Sequence, residues 1–315
     1  MADKKRIDQP TGTETVGHEW DGIEELDTPM PRWWLWSLYA TIVWGIGYMI
    51  LYPAWPLVDR ATAGVLGWSS REQLERELAA DADAKRPIML ALAQIPIERL
   101  PEDSKLLDVA VQGGSAAFKV NCVQCHGSGA AGSKGYPNLN DDDWLWGGDL
   151  KAIHQSIEHG IRQPGDNQTR TGQMPAFGGG LPDSEVQDLV SHVRTLSGAE
   201  MKSASSNRGA ASFSSNCAVC HGADGKGNRT LGAPNLTDKI WLFGGDRAAI
   251  AETINKGRAG VMPSWGNRLD PVTVKMLAAY VHSLGGGEAF VPQSAPGEAA
   301  AAPSKEAAVK QNATR

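Results

Sequence analysis

With 315 residues and a formal net charge of −6, the chain has the length of an anchor plus two small domains rather than one large core. Its mild acidity and the lack of any long Lys/Arg run exclude a nucleic-acid-binding protein. The four cysteines sit in two short motifs, which leaves none for a structural disulfide.

Residues 1–32 are mostly polar. From Trp33 to Val58 no residue is charged, with Arg32 and Asp59 on either side. As a helix, Trp33–Tyr52 would cover about 30 Å, the thickness of a bilayer core. Trp33, Trp34 and Trp36 at one end and Tyr48, Tyr52 and Trp55 at the other are the amphipathic rings that membrane interfaces favour. A cleaved signal would have a shorter apolar run and a small-residue cleavage site after it. Residues 33–56 are therefore read as one transmembrane helix. Lys4, Lys5, Arg6 and Arg32 precede it, a modest positive-inside signal that puts residues 1–32 in the cytoplasm.

Residues 57–104 read as a linker with a charged helix over roughly Ser69–Lys85. The chain then repeats itself. Gly114 and Phe118 precede Cys122-Val-Gln-Cys125-His126 as Gly209 and Phe213 precede Cys217-Ala-Val-Cys220-His221. Pro137-Asn138-Leu139 answers to Pro234-Asn235-Leu236, and Trp144–Asp149 to Trp241–Asp246. Met174-Pro175 answers to Met262-Pro263. A repeat this sustained means two copies of one domain, 105–198 and 204–287.

Each copy reads as a small helical unit with a terminal helix, Ser184–Leu196 or Val272–Leu284. Asp270-Pro271 is an N-cap followed by proline in the first turn, and Asp183-Ser184 is expected to do the same work. Leu277, Tyr280, Val281 and Leu284 share a helix face, as do Leu189, Val193 and Leu196. Gly114 and Gly209, one turn before a phenylalanine, let another helix approach closely. Residues 288–315, rich in Ala, Pro and Ser, read as a disordered tail.

Cys-x-x-Cys-His is the attachment signature of c-type haem. Two thiols at this spacing reach both vinyl groups of one porphyrin, and the histidine after them falls under the iron. A zinc site would need four ligands together, and a redox dithiol would need a βαβ context. Neither is visible. The expected cofactors are two covalently bound haems c, on Cys122 and Cys125 and on Cys217 and Cys220, with His126 and His221 on the iron. Met174 and Met262, each before Pro and an aromatic–Gly pair, are the candidate second ligands, which would close each iron and raise its potential. His154 and His159 keep a bis-His arrangement open for the first haem. Haem attachment to exported polypeptide makes the body after the span periplasmic, in a bacterial inner membrane. The fold class is then mainly α: one transmembrane helix followed by two tandem domains that resemble class I cytochrome c.

At this point the chain resembles a known family. His18–Leu26, with Pro29-Met30-Pro31-Arg32-Trp33-Trp34 leading into the span, is similar to the dihaem subunit III of cbb3-type cytochrome c oxidases, the CcoP/FixP family. The resemblance runs from about His18 to Gly285. It implies Met174 as partner of the haem on Cys122, Cys125 and His126, and Met262 as partner of the haem on Cys217, Cys220 and His221. It further implies a complex with a catalytic haem–copper subunit and a monohaem c subunit that reduces dioxygen and pumps protons. The chain itself would be a non-catalytic electron-transfer subunit, fed by a soluble cytochrome c or a bc-type complex.

A dihaem peroxidase needs an open iron, against which two methionines argue. A dehydrogenase cytochrome subunit would not be expected to carry the His18–Trp34 segment, and a gas sensor would need an output domain. Residues 104–198 hold ten acids and seven bases, residues 204–287 five acids and nine bases. Asp141-Asp142-Asp143 reads equally as an acidic patch that would steer a basic donor to the first domain and as a solvated loop that caps a helix.

Overall fold

The structure, a computed structural model, describes residues 5–289. They fall into two compact units, one up to Lys85 and one from Arg86 onward.

In the first unit a hairpin precedes the span. Strands β1 (Thr15–Trp20) and β2 (Ile23–Leu26) pair antiparallel, with Trp20 opposite Ile23. Asp21-Gly22 makes the turn at φ 50° and 85°, the Asp-Gly choice that a two-residue hairpin loop requires. The polar-segment reading of residues 1–32 did not anticipate this hairpin. Helix α1 (Arg32–Leu51) buries none of its residues, and it is long and apolar enough to cross a membrane. The chain then doubles back, and the Val65 and Leu66 N–H groups donate to the Ile50 and Leu51 carbonyls at 2.9 and 3.1 Å. Gly64 makes this possible: it sits at φ +70°, and a Cβ there would lie 2.5 Å from the Leu51 oxygen.

Helix α2 (Ser70–Gln94) continues past the expected end at Lys85 and through Pro87. Its last turns are held by tertiary contacts: Leu92 is fully buried, and the Lys275 ammonium donates to the Leu92 and Ile95 carbonyls at 2.6 Å each. A cation on the free carbonyls of a helix end is favourable.

A 3₁₀ turn, Ile97–Glu102, leads into the helices of the two repeats. These are α3 (Ser104–Asn121), α4 (Val123–His126), α5 (Leu150–His159) and α6 (Asp183–Leu196) in the first, and α7 (Ala204–Asn216), α8 (Ala218–His221), α9 (Arg247–Lys256) and α10 (Pro271–Ser283) in the second. The elements match the repeat, but their packing is exchanged. Helices α3 and α5 pack on α10, while α7 and α9 pack on α6. One core joins Phe118, Ile153 and Ile157 to Val274, Leu277 and Val281; the other joins Phe213, Ile250 and Ile254 to Val186, Leu189 and Val193. Each such side chain contributes about 1.5–3 kcal/mol on burial. Gly114 and Gly209 are where the paired helices touch. A Cβ would lie 2.0 Å from the Met276 oxygen in the first case and 2.0 Å from the Asp188 oxygen in the second.

The first lobe is therefore α3–α5 with α10, and the second is α7–α9 with α6. The contiguous boundaries 105–198 and 204–287 describe copies in sequence, not packed bodies. Two segments make the crossing and pair as they pass. Ile161 and Met262 exchange N–H···O bonds of 2.9 and 3.0 Å, and Met174 and Arg258 exchange two of 3.0 Å.

Two smaller expectations are also corrected. Asp270 caps α10 by accepting from the Val272 and Thr273 N–H groups, but Asp183 lies inside the first turn of α6, whose N-cap is Pro182 with no side-chain bond. Glu288, assigned to the tail, is fastened: its N–H donates to Gly148 O at 2.9 Å and its carboxylate takes the Arg229 guanidinium at 2.6 Å. The rest of the expected tail, 290–315, lies outside the described residues.

Candidate functional site

Each Cys-x-x-Cys-His motif begins at a helix end. The Cys122 N–H closes α3 on the Phe118 carbonyl at 2.8 Å, one further turn carries Val123–His126, and Gly127 leaves at φ 78°. The second motif repeats this, with Cys217 on Phe213 at 2.9 Å and Gly222 leaving at φ 76°. Residues three apart on a helical turn are neighbours, so Cys122 and Cys125 share a side, as do Cys217 and Cys220. None of the four is in a disulfide. Burial pushes the Cys122 and Cys217 thiols up to about 11, which keeps both neutral near pH 7.

The two histidines are oriented identically. His126 Nδ1 lies 3.2 Å from the Pro137 oxygen, and His221 Nδ1 lies 3.1 Å from the Pro234 oxygen. A carbonyl can only accept, so Nδ1 carries the proton and Nε2 keeps a lone pair for a metal. Burial also lowers both ring pKa values, opposed by the hydrogen bond to the proline carbonyl. The sequence signal for these carbonyls was the repeated Pro-Asn-Leu, whose orienting role became visible only in the fold.

The methionines change partners. Met262 packs in the core that takes Cys122, Val123 and Phe118, and Met174 packs in the core that takes Cys217, Ala218 and Phe213. The pairing of Met174 with the first motif and Met262 with the second is overturned by the helix exchange, because each methionine travels with the terminal helix that follows it. The donor chemistry in each lobe, two thiols on one turn, an oriented imidazole and a thioether in the core beside the first thiol, fits haem c.

The other histidines have different partners. His154 Nδ1 lies 3.3 Å from the Glu158 carboxylate and His159 Nδ1 lies 3.2 Å from Asp166. His192 packs on Phe213 with ring centres 5.0 Å apart, and His282 Nε2 lies 2.9 Å from Glu288 O. The acidic-patch reading is left with one exposed carboxylate, Asp142. Asp141 and Asp143 are partly buried, and Asp143 is pushed up to about 6 by burial, with Asp238 and Asp141 adding to it.

Residues 12–59 match the N-terminal domain of cytochrome oxidase-cbb3, FixP, and residues 109–193 and 204–281 match cytochrome C oxidase, cbb3-type, subunit III. The cbb3-type cytochrome c oxidase subunit CcoP of Cereibacter sphaeroides is 52% identical over 290 residues, covering 91% of this chain and 100% of its own. The chain belongs to the CcoP/FixP family. FixP of Azorhizobium caulinodans is 51% identical over 283 residues, 90% of this chain and 96% of its own, and FixP of Rhizobium meliloti is 51% identical over 289, at 91% and 100%. Membership makes this a cytochrome c-type electron-transfer subunit with haem c as its cofactor. Most of the first unit, hairpin and span included, belongs to the FixP N-terminal match, and the two repeats are the subunit III domains.

Proposed function

We propose that this CcoP/FixP-family subunit relays electrons through two covalently attached haems c toward the catalytic haem–copper subunit and the monohaem c subunit of a cbb3-type oxidase. The donor is a soluble cytochrome c or a bc-type complex. The chain crosses the bacterial inner membrane once, through α1, with both lobes in the periplasm. Haem c, when attached, supplies a one-electron iron couple.

The chain's own residues do the rest. Cys122 and Cys125 tether one group, Cys217 and Cys220 the other. His126 with Met262, and His221 with Met174, would hold the two irons when the groups are attached. The cores around Phe118 and Phe213 exclude water, and the span keeps the relay beside its acceptor at high effective concentration. The observation that carries this reading is the paired donor set in each core, an imidazole with Nε2 free together with a methionine. Methionine in both cores also favours closed irons over a peroxidase.

The test is a haem count and an oxygen-uptake assay on the purified complex. Two haems c per chain are expected, falling to one when Cys122 and Cys125 are both replaced by serine. Oxygen uptake driven by reduced cytochrome c should fall at least tenfold in that variant. An unchanged haem count would refute the attachment sites, and unchanged uptake would refute the relay.

A further inference from the structure

The hairpin that precedes the span buries almost nothing of its own. Among residues 5–31 only Thr15 is buried. Trp20 and Ile23 face each other across the Asp21-Gly22 turn, so both project from one face, where they stay 63% and 71% exposed. His18, two residues before Trp20 on the same face, meets it in a T-shaped contact with ring centres 5.1 Å apart. A lone two-stranded hairpin is marginal in water and gains stability when its apolar face is covered. An exposed tryptophan beside an aliphatic side chain is also the kind of anchor that dominates protein interfaces.

Charge decides what covers this face. Residues 5–31 hold seven acids and two bases. Both bases are engaged by the hairpin's own carboxylates, Lys5 by Asp27 at 2.6 Å and Arg6 by Glu24. Glu19 and Asp21 flank Trp20, and Glu25 lies two residues past Ile23, so negative charge brackets the apolar pair. The six residue steps from Leu26 to Arg32, where the span begins, reach at most about 22 Å. Two surfaces lie that close to a cytoplasmic hairpin: lipid headgroups and the cytoplasmic loops of a membrane partner. The cytoplasmic leaflet is anionic and repels an acidic hairpin. Cytoplasmic loops of membrane proteins carry an excess of Lys and Arg, which complements it.

We propose that the hairpin is a cytoplasmic docking clamp for an integral membrane partner subunit. Trp20 and Ile23 seat against apolar surface beside a Lys- or Arg-bearing cytoplasmic loop of that partner, and Glu19, Asp21 and Glu25 meet its bases. The proposal rests on the reading above that the chain crosses the membrane within an oxidase complex, with both lobes in the periplasm. The clamp holds the chain from the side of the membrane opposite the lobes, so haem attachment does not depend on it.

The test uses the full-length chain in membranes and in its purified complex. With the photoreactive residue p-benzoylphenylalanine in place of Trp20, irradiation should join this chain to an integral membrane subunit, at a cytoplasmic loop that bears Lys or Arg. Adducts with lipid alone, or no protein adduct, would overturn the proposal. Trp20→Ala with Ile23→Ser should lower the complex recovered through a tag on this chain at least fivefold. The amount of chain in the membrane and its haem count should stay as in the unaltered protein, which separates lost docking from a chain that fails to accumulate. Glu19→Gln with Glu25→Gln should lower recovery at low salt and flatten its salt dependence. Unchanged recovery in both double variants would also overturn the proposal.

A thiol label separates the clamp from the reading beneath it. Gln9→Cys places a thiol on an exposed residue outside β1 and β2. A maleimide that cannot cross the membrane should label it only after the cells are opened. Labelling from outside would refute the orientation of the span, and an unaltered chain that copurifies with no membrane subunit would refute the complex. With both of those intact, failure of the cross-link refutes the clamp alone.

Discussion

At the scale of single residues, the histidine and the methionine of each candidate site are held by backbone bonds as well as by packing. A proline carbonyl orients each imidazole, and a two-bond bridge to the other repeat holds each methionine. The exchange makes a sharp prediction. In a chain whose second haem has been removed by Cys217→Ser and Cys220→Ser, Met262→Leu should open the remaining iron to carbon monoxide and lower its potential, whereas Met174→Leu should do neither. Optical spectra of the reduced protein with carbon monoxide decide it; the reverse result would restore the pairing by chain order. A second residue-scale prediction concerns Asp143, whose carboxyl is pushed from an ordinary 3.8 up to about 6 by burial first and by Asp238 and Asp141 after it. A raised folded-state pKa means the fold binds this proton more tightly than the unfolded chain does. Asp143 therefore costs stability as pH rises from about 4 through about 6. Asp143→Asn should stabilise the protein at pH 7 by on the order of 1 kcal/mol, the full shift being discounted for solvent around a part-exposed group. Unfolding curves should converge below about pH 4, and a constant difference at all pH values would sink the idea.

At the scale of elements, the helices obey local rules and their ends obey tertiary ones. Asp270 caps α10 through two backbone N–H groups as its sequence promises, whereas α6 begins without a side-chain cap. The last turns of α2 are set by Lys275, a residue far away in sequence that no local propensity could announce. Gly209 shows which scale dominates. In an exposed helix, Gly→Ala stabilises by about 1 kcal/mol. Here a Cβ would lie 2.0 Å from the Asp188 oxygen and 2.9 Å from His192 Cβ. Gly209→Ala should therefore lower the melting temperature, at a cost of about 1–3 kcal/mol or more. Because α6 belongs to the second lobe, the second haem should suffer first. A rise in melting temperature would mean the helices are not packed at this point.

At the scale of the whole molecule, exchange of α6 and α10 makes the two lobes one folding problem. A chain ending after residue 198 keeps Cys122, Cys125 and His126 but lacks both α10 and Met262. Its single haem should bind carbon monoxide and its first core should be loose, visible as rapid proteolysis. Supplying residues 199–315 as a separate chain should restore a closed iron. A truncated chain that is already closed and protease-resistant would show that the first copy folds alone. Part of this protein was nevertheless legible without the structure: the long apolar helix from its uncharged run and aromatic ends, and the repeat from matched landmarks. These are signals of short range or fixed period, and they are physical because a helix turn or a bilayer thickness reads directly as residue spacing. Which methionine and which terminal helix completes which core was not legible. The two copies present nearly the same apolar faces, with Leu189 matching Leu277 and Val193 matching Val281, so either partner satisfies the local pattern. From Arg258 to Met262 the chain has only four residues, a reach of at most about 14 Å, and it crosses directly to Ile161 in the other lobe. Pairing between equivalent surfaces is a property of how the connections run in space, so only the tertiary structure decided it.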